Sequence, residues 1–141
     1  MILLDTNVIS EPLKPDGAAV VLDWIDAQAI ETLYLSAITL AELRFGIVVM
    51  SNGRRKESLR QRLDEQIAPL FAGRILPFNA DCADAYASLR ARARAAGKGI
   101  STADAYIAAV AVANGFAIAT RDTSPFLSAG LDVINPWQSS P

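Results

Sequence analysis

Short apolar runs alternate along this chain with longer stretches of helical periodicity. Runs of three to five mostly apolar residues predict strands at 1–4, 32–36, 74–78, 116–120 and 132–134. Between them the apolar positions recur at helical spacing. A helix over 18–27 would turn Val21, Leu22 and Ile25 to one side, and one over 39–50 would turn Leu40, Leu43, Ile47 and Met50. A long amphipathic helix over 55–71 would face Leu59, Leu63, Ile67 and Leu70 inward. Further helices are predicted at 80–96 and at 101–114, the second alanine-rich and stopped by Gly115. A short helix ending near Pro12 would be capped by Asn7. Glycine-bearing breaks at 15–17, 51–53 and 97–99 read as loops. There is no internal repeat or low-complexity segment, and 141 residues suit one domain over 1–141.

Short apolar strands alternating with helices predict an α/β fold, a parallel sheet covered on both faces. Such sheets place their sites beyond the carboxyl ends of the strands. Four acids fall at that edge. Asp5 ends the first run, and Asp122 follows the strand at 116–120. Glu42 lies in the first turn after the strand at 32–36. Asp104 opens the helix that feeds the strand at 116–120. That helix runs antiparallel to its strand, so its N-terminus shares the edge.

Composition narrows the chemistry. The chain has no histidine and one cysteine, Cys82. That excludes a Ser-His-Asp triad, histidine acid–base catalysis, a disulfide and a multi-cysteine metal site. Cys82, with no histidine to activate it, reads as a buried spectator. The longest apolar run falls well short of the ~18 residues of a membrane span. No positively charged leader precedes an apolar stretch, so a cytoplasmic location without a membrane association is expected. Net charge is −2, no general signature of nucleic-acid binding. With the four acids set aside, thirteen basic residues face eleven remaining acids, a surplus of +2.

Singly, each acid has a structural explanation. Thr39 to Glu42 and Ser101 to Asp104 have the spacing of capping boxes or close variants, and Asp5 or Asp122 could satisfy turn amides. Together, four carboxylates on one rim repel one another unless a positive charge sits among them. Only Arg121 is nearby in sequence. Oxygen ligands with open positions suit Mg²⁺ or Mn²⁺, which can activate water against a phosphate without histidine.

Leu3-Leu4-Asp5-Thr6-Asn7-Val8, Thr39-Leu40-Ala41-Glu42-Leu43, Thr102-Ala103-Asp104-Ala105-Tyr106-Ile107-Ala108-Ala109 and Ala119-Thr120-Arg121-Asp122 occur in this order across the chain. The set resembles the PIN-domain ribonucleases, in particular the VapC-type toxins of toxin–antitoxin pairs. The start at 1–12 and the tail Asn135-Pro136-Trp137 resemble the FitB-like branch. The resemblance implies a three-layer α/β/α PIN-like domain, usually dimeric. It implies a type II toxin that hydrolyses RNA through water activated by Mg²⁺ or Mn²⁺. Asp5, Glu42, Asp104 and Asp122 would be the catalytic and metal-holding acids, one of them also serving as general base. Thr6, Asn7 and Thr120 would support them. Many relatives carry another acid after the fourth motif; here Thr123-Ser124-Pro125-Phe126 lacks it, which weighs against a second tightly held metal more than against the first. The implied partners are an RNA substrate, a second copy of the chain and a cognate DNA-binding antitoxin, through which any DNA would be met indirectly.

Two basic clusters remain, Arg54-Arg55-Lys56 with Arg60 and Arg62, and Arg90, Arg92, Arg94 with Lys98. Both can be solvated helix faces. Lys98, in the loop before Asp104, is the best single candidate for an RNA contact, with Arg121 a second. By analogy, Val20, Val21, Leu22 and Trp24 could help form the antitoxin groove. Competing functions fit less well. An aspartyl-nucleophile phosphohydrolase wants an aspartate at the place of Asn7, and a receiver-like domain wants a lysine after Lys98. The principal alternative is a protein that acts mainly as partner of an operator-binding antitoxin, with little or no nuclease activity.

Overall fold

In the computed structural model, which describes residues 1–138, five short strands form one parallel sheet in the order β3-β2-β1-β4-β5. They are β1 (Ile2–Leu4), β2 (Leu33–Ser36), β3 (Ile75–Leu76), β4 (Ala117–Ala119) and β5 (Val133–Ile134). Helices α1 (Thr6–Ile9), α2 (Ala19–Ala27), α3 (Ala37–Val48), α4 (Arg54–Arg62), α5 (Ala80–Ala95), α6 (Thr102–Asn114) and α7 (Thr123–Ser128) connect them.

The period-2 alternation of the strands divides the core between the two faces. Leu3 and Ile118 point to one side, where Cys82 and Leu89 of α5, Ala105 to Ala111 of α6 and Phe126 of α7 pack. Leu4, Leu33, Leu35 and Ala119 point to the other, against Val8 of α1, Val21 of α2, Leu43 and Ile47 of α3, and Leu63 and Phe71. The three-layer α/β/α arrangement predicted from the alternation is the one found. Cys82 is fully buried against the Pro77 carbonyl.

Three local expectations are corrected. The first short helix is capped by Asp5, whose side chain accepts from the Thr6 amide, and Asn7 lies inside it. Helix α3 starts two residues early, because the Ser36 hydroxyl caps the Thr39 amide; Thr39 is no cap, and Glu42 belongs to the second turn. The long helix at 55–71 breaks up. After Arg62 the chain passes through a π turn (Leu63–Ile67) and a 3-10 turn (Ala68–Phe71). Pro69 has no amide to continue the ladder, and the changed winding turns Leu70 out, 53% exposed, while Phe71 goes in. Helix α7, unforeseen in the sequence, carries Pro125 in its first turn, where a missing amide costs nothing.

Candidate active site

Parallel pairing of β1 with β4 in the register Leu4 to Ala119 carries the next residues, Asp5 and Thr120, to neighbouring places at the carboxyl edge. The Asp5 amide donates to the Ala119 carbonyl at 2.9 Å, which fixes its backbone. Its carboxylate is buried. Oδ1 accepts from the Thr6 amide at 2.8 Å, and Oδ2 accepts from the Thr120 hydroxyl at 2.8 Å and, more weakly, from Asn7 Nδ2 at 3.4 Å. Thr120 is itself fully buried, and its oxygen also accepts from the Asp122 amide at 3.1 Å. Asn7 Oδ1 accepts from the Arg121 amide at 3.3 Å. The segments 5–7 and 120–122, over a hundred residues apart in sequence, are thus laced together.

Thr6 extends the lacing to the third segment. Its hydroxyl donates to Glu42 Oε1 at 2.6 Å and lies 3.2 Å from the Thr39 hydroxyl. Asp104 is held in the first turn of α6, its amide donating to the Ser101 hydroxyl at 3.1 Å. The capping spacing at 101–104 is therefore real, and it leaves the Asp104 carboxylate uncommitted to the cap.

Burial pushes the Asp5 carboxyl up from 3.8 to about 6. Hydrogen bonds from Thr120 and the Thr6 amide pull it back, and the neighbouring charges of Asp104 and Glu42 push it up again. Three of the four acids therefore share one electrostatic neighbourhood, and among the described residues no side-chain cation is bonded to any of them. Asp122 joins through its backbone, and its side chain is exposed. Among the described residues, no three acid or cysteine side chains draw together tightly enough to enclose an ion. The acids meet as repelling neighbours spaced by hydroxyls.

The carboxylate–hydroxyl donor set fits a hard divalent cation. Mg²⁺ in particular is commonly held by one or two carboxylates while keeping several waters, so widely set acids are no obstacle. A cation would also offset the burial that raises Asp5 and the smaller repulsion from Asp104 and Glu42.

Arg121 is exposed, with its guanidinium over the Trp137 ring at 5.1 Å. Lys98 is exposed in the turn between α5 and α6. Sequence reasoning read Thr39, fully buried beneath Thr6, only as a helix cap and assigned no role to Ser36; a polar pair inside an apolar strand-to-helix junction was the available signal. Of the expected antitoxin-groove residues, Val21 is fully buried, Leu22 and Trp24 are half-buried with Trp24 packed against the core, and Val20 is exposed. Apolar side chains that do face out include Phe45 and Val48 of α3 and Val49, which follows it. No helix is long and apolar enough to cross a membrane among the described residues.

Comparison with known proteins gives a consistent result. The PIN domain family model matches residues 2–130. The chain is 59% identical to VapC ribonuclease Y4jK of Sinorhizobium fredii over 98% of its length and 99% of that protein's. It is 53% identical to Toxin FitB of Neisseria gonorrhoeae, covering 97% and 99%. A solved structure of FitAB bound to an IR36 DNA fragment superposes with a TM-score of 0.96 at 50% identity, covering 100% of this chain and 99% of the matched one.

Proposed function

The chain belongs to the PIN-domain family, and from that premise we propose that it is the endoribonuclease toxin of a type II toxin–antitoxin pair, dependent on Mg²⁺ or Mn²⁺. The observation that carries the reading is the state of Asp5. A buried carboxylate with a pKa near 6, beside Glu42 and Asp104, is a site short of positive charge. Carboxylates perturbed by burial and like-charged neighbours cluster at functional sites.

In this reading Asp5, Glu42, Asp104 and Asp122 would hold the cation, one or two directly and the others through its waters. When bound it would supply charge against the phosphate and acidify water. The protein's own groups do the rest. Thr120 and the Thr6 amide fix the Asp5 carboxylate in one orientation, and the Thr6 hydroxyl fixes Glu42. Asn7 ties the Asp5 and Asp122 segments together. One of the acids takes the proton of the attacking water. The water oxygen bonds to phosphorus, the bond to the leaving ribose oxygen breaks, and that oxygen takes a proton from solvent, to which the acid later returns the one it took. Arg121, steadied on Trp137, and Lys98 lie outside the acid set and can meet flanking phosphates.

The likeness to the DNA-bound FitAB structure supports a second role. A DNA-binding antitoxin partner would carry the chain to operator DNA, which the chain itself meets only through that partner. A homodimer or an antitoxin would cover exposed apolar surface such as Phe45, Val48 and Val49.

The deciding experiment is cleavage of single-stranded RNA by purified protein with Mg²⁺ or Mn²⁺. Cleavage should stop with EDTA and fall at least 100-fold in Asp5→Asn. Undiminished cleavage by the variant would sink the mechanism. No cleavage of any RNA, together with antitoxin-dependent operator binding, would leave the DNA-complex role as the function.

A further inference from the structure

The two basic clusters, equivalent in the sequence, have different fates in the fold. The α4 cluster is largely committed to structure. Lys56 donates to the Val48 carbonyl at 3.0 Å, Arg60 pairs with Glu57, and Arg62 donates to the carbonyls of Pro12 and Leu13. In the α5 cluster Arg92 turns toward Gly130. Arg90, Arg94 and Lys98 instead line a cleft of about 770 Å³ with Ala93, Gly99 and Ile100. No acidic side chain among the described residues lines it. Among the described residues none of the three cations is in an ion pair.

The arrangement is more than a solvated helix end. The macrodipole of α5 accounts for Arg94 in its last turn, but not for Arg90 before that turn or Lys98 beyond it. Arg90 and Arg94 are four residues apart and so stand on one helix face, about 6 Å from each other. Arg90 is also fixed in place. Its guanidinium lies over the Tyr86 ring at 5.6 Å and donates to the Tyr86 hydroxyl at 2.8 Å. Tyr86 in turn stacks on Tyr106 of α6 at 4.7 Å. The cleft wall at Ile100 is followed at once by Ser101, the cap that holds Asp104. One connection thus carries both the cleft and an acid of the rim.

We infer that this cleft holds the sugar–phosphate backbone of the RNA flanking the cleavage site, with Arg90, Arg94 and Lys98 as its phosphate contacts. The inference rests on the ribonuclease reading above for the identity of the polyanion. A row of unpaired cations at this spacing suits successive phosphates of a single strand, and it is indifferent to sequence.

The test is anisotropy of a fluorescein-labelled single-stranded RNA of mixed sequence, titrated with the full chain in EDTA across a KCl series. The double variant Arg90→Ala/Arg94→Ala should bind more weakly, and its plot of log affinity against log salt should flatten by about 0.7 for each cation removed. Lys98→Ala should flatten it by a further single step, while Arg90→Lys/Arg94→Lys should keep most of the slope. The control Arg54→Ala/Arg55→Ala removes the same charge from α4 and should bind as the wild type does. All these side chains are exposed, so the variants should fold. An unchanged slope in the cleft variants, an equal loss in the α4 control, or no RNA binding by the wild type would overturn the inference. So would loss of polyglutamate binding with RNA binding intact, which would assign the cleft to an acidic protein segment. Parallel cleavage with Mn²⁺ separates the two readings. Flattened slopes without wild-type cleavage leave the cleft standing and remove the nuclease; cleavage with unaltered slopes does the reverse.

Discussion

The Thr120 hydroxyl donates to Asp5 Oδ2 at 2.8 Å, and both residues are buried. This bond joins the ends of β1 and β4 and lowers the pKa that burial raises. Thr120→Val keeps the shape and removes the donor. The Asp5 carboxyl should then titrate higher, so the acid limb of the cleavage pH profile should move up. The Asp122 amide loses its acceptor too, and stability should fall by about 1–3 kcal/mol. Thr120→Ser should restore both. An acid limb unmoved in Thr120→Val would show that the bond does not tune Asp5.

Asp5 also sets a pH dependence of stability. Its pKa is raised from 3.8 to about 6, so the folded state binds this proton more tightly than the unfolded state. Its favourable contribution is complete below pH 3.8 and is lost as pH rises through about 6. Above that, an ionised Asp5 costs up to about 3 kcal/mol. Asp5→Asn should therefore be more stable than wild type at pH 7.5, with the gain vanishing toward pH 4. The amide oxygen can still accept from the Thr6 amide, while its Nδ2 replaces the acceptor of Thr120 and Asn7, which offsets part of the gain. Urea denaturation at the two pH values checks this; a variant less stable at pH 7.5 would mean that the carboxylate is better compensated than its surroundings suggest.

A divalent cation should offset the same cost. Mn²⁺ or Mg²⁺ at pH 7.5 should raise the melting temperature of the wild type, since a ligand at one hundred times its Kd adds about 2.7 kcal/mol. The rise should shrink at pH 5, where protons compete for Asp5, and should be reduced in Asp5→Asn and Asp104→Asn. Equal shifts in wild type and both variants would place the bound cation elsewhere.

What the sequence made legible followed from local rules. Residues 2–4 and 117–119 are apolar runs closed by polar residues, and Ser101 and Gly115 are standard helix punctuation, with Gly115 at φ 69°. The edge carrying Asp5, Glu42 and Asp104 followed from strand–helix alternation alone. The register that sets Thr120 beside Asp5 did not, because parallel pairing is decided by packing on both sheet faces and leaves no turn signal. The turning of Leu70 outward was hidden for a related reason. Periodicity assumes constant winding, and the π and 3-10 turns around Pro69 change it. The contrast between the basic clusters was invisible for a third reason, since the carbonyl partners of Arg62 lie about fifty residues upstream.

Arg62 is the sharpest test of that contrast. Its guanidinium reaches from the last turn of α4 to the carbonyls of Pro12 and Leu13. Those groups close the segment after α1, the helix that Asp5 caps. Arg62→Ala leaves both carbonyls without this donor and should cost about 1–3 kcal/mol. Arg62→Lys, a single ammonium in place of a fork, should recover part of it. Arg55→Ala, two turns of helix away and without a bonded partner among the described residues, should cost less than about 0.5 kcal/mol. The RNA salt slope should stay at its wild-type value in all three, because the role of Arg62 is to hold the chain rather than the nucleic acid. A stable Arg62→Ala with a flattened slope would reverse that assignment and move the RNA path toward α4.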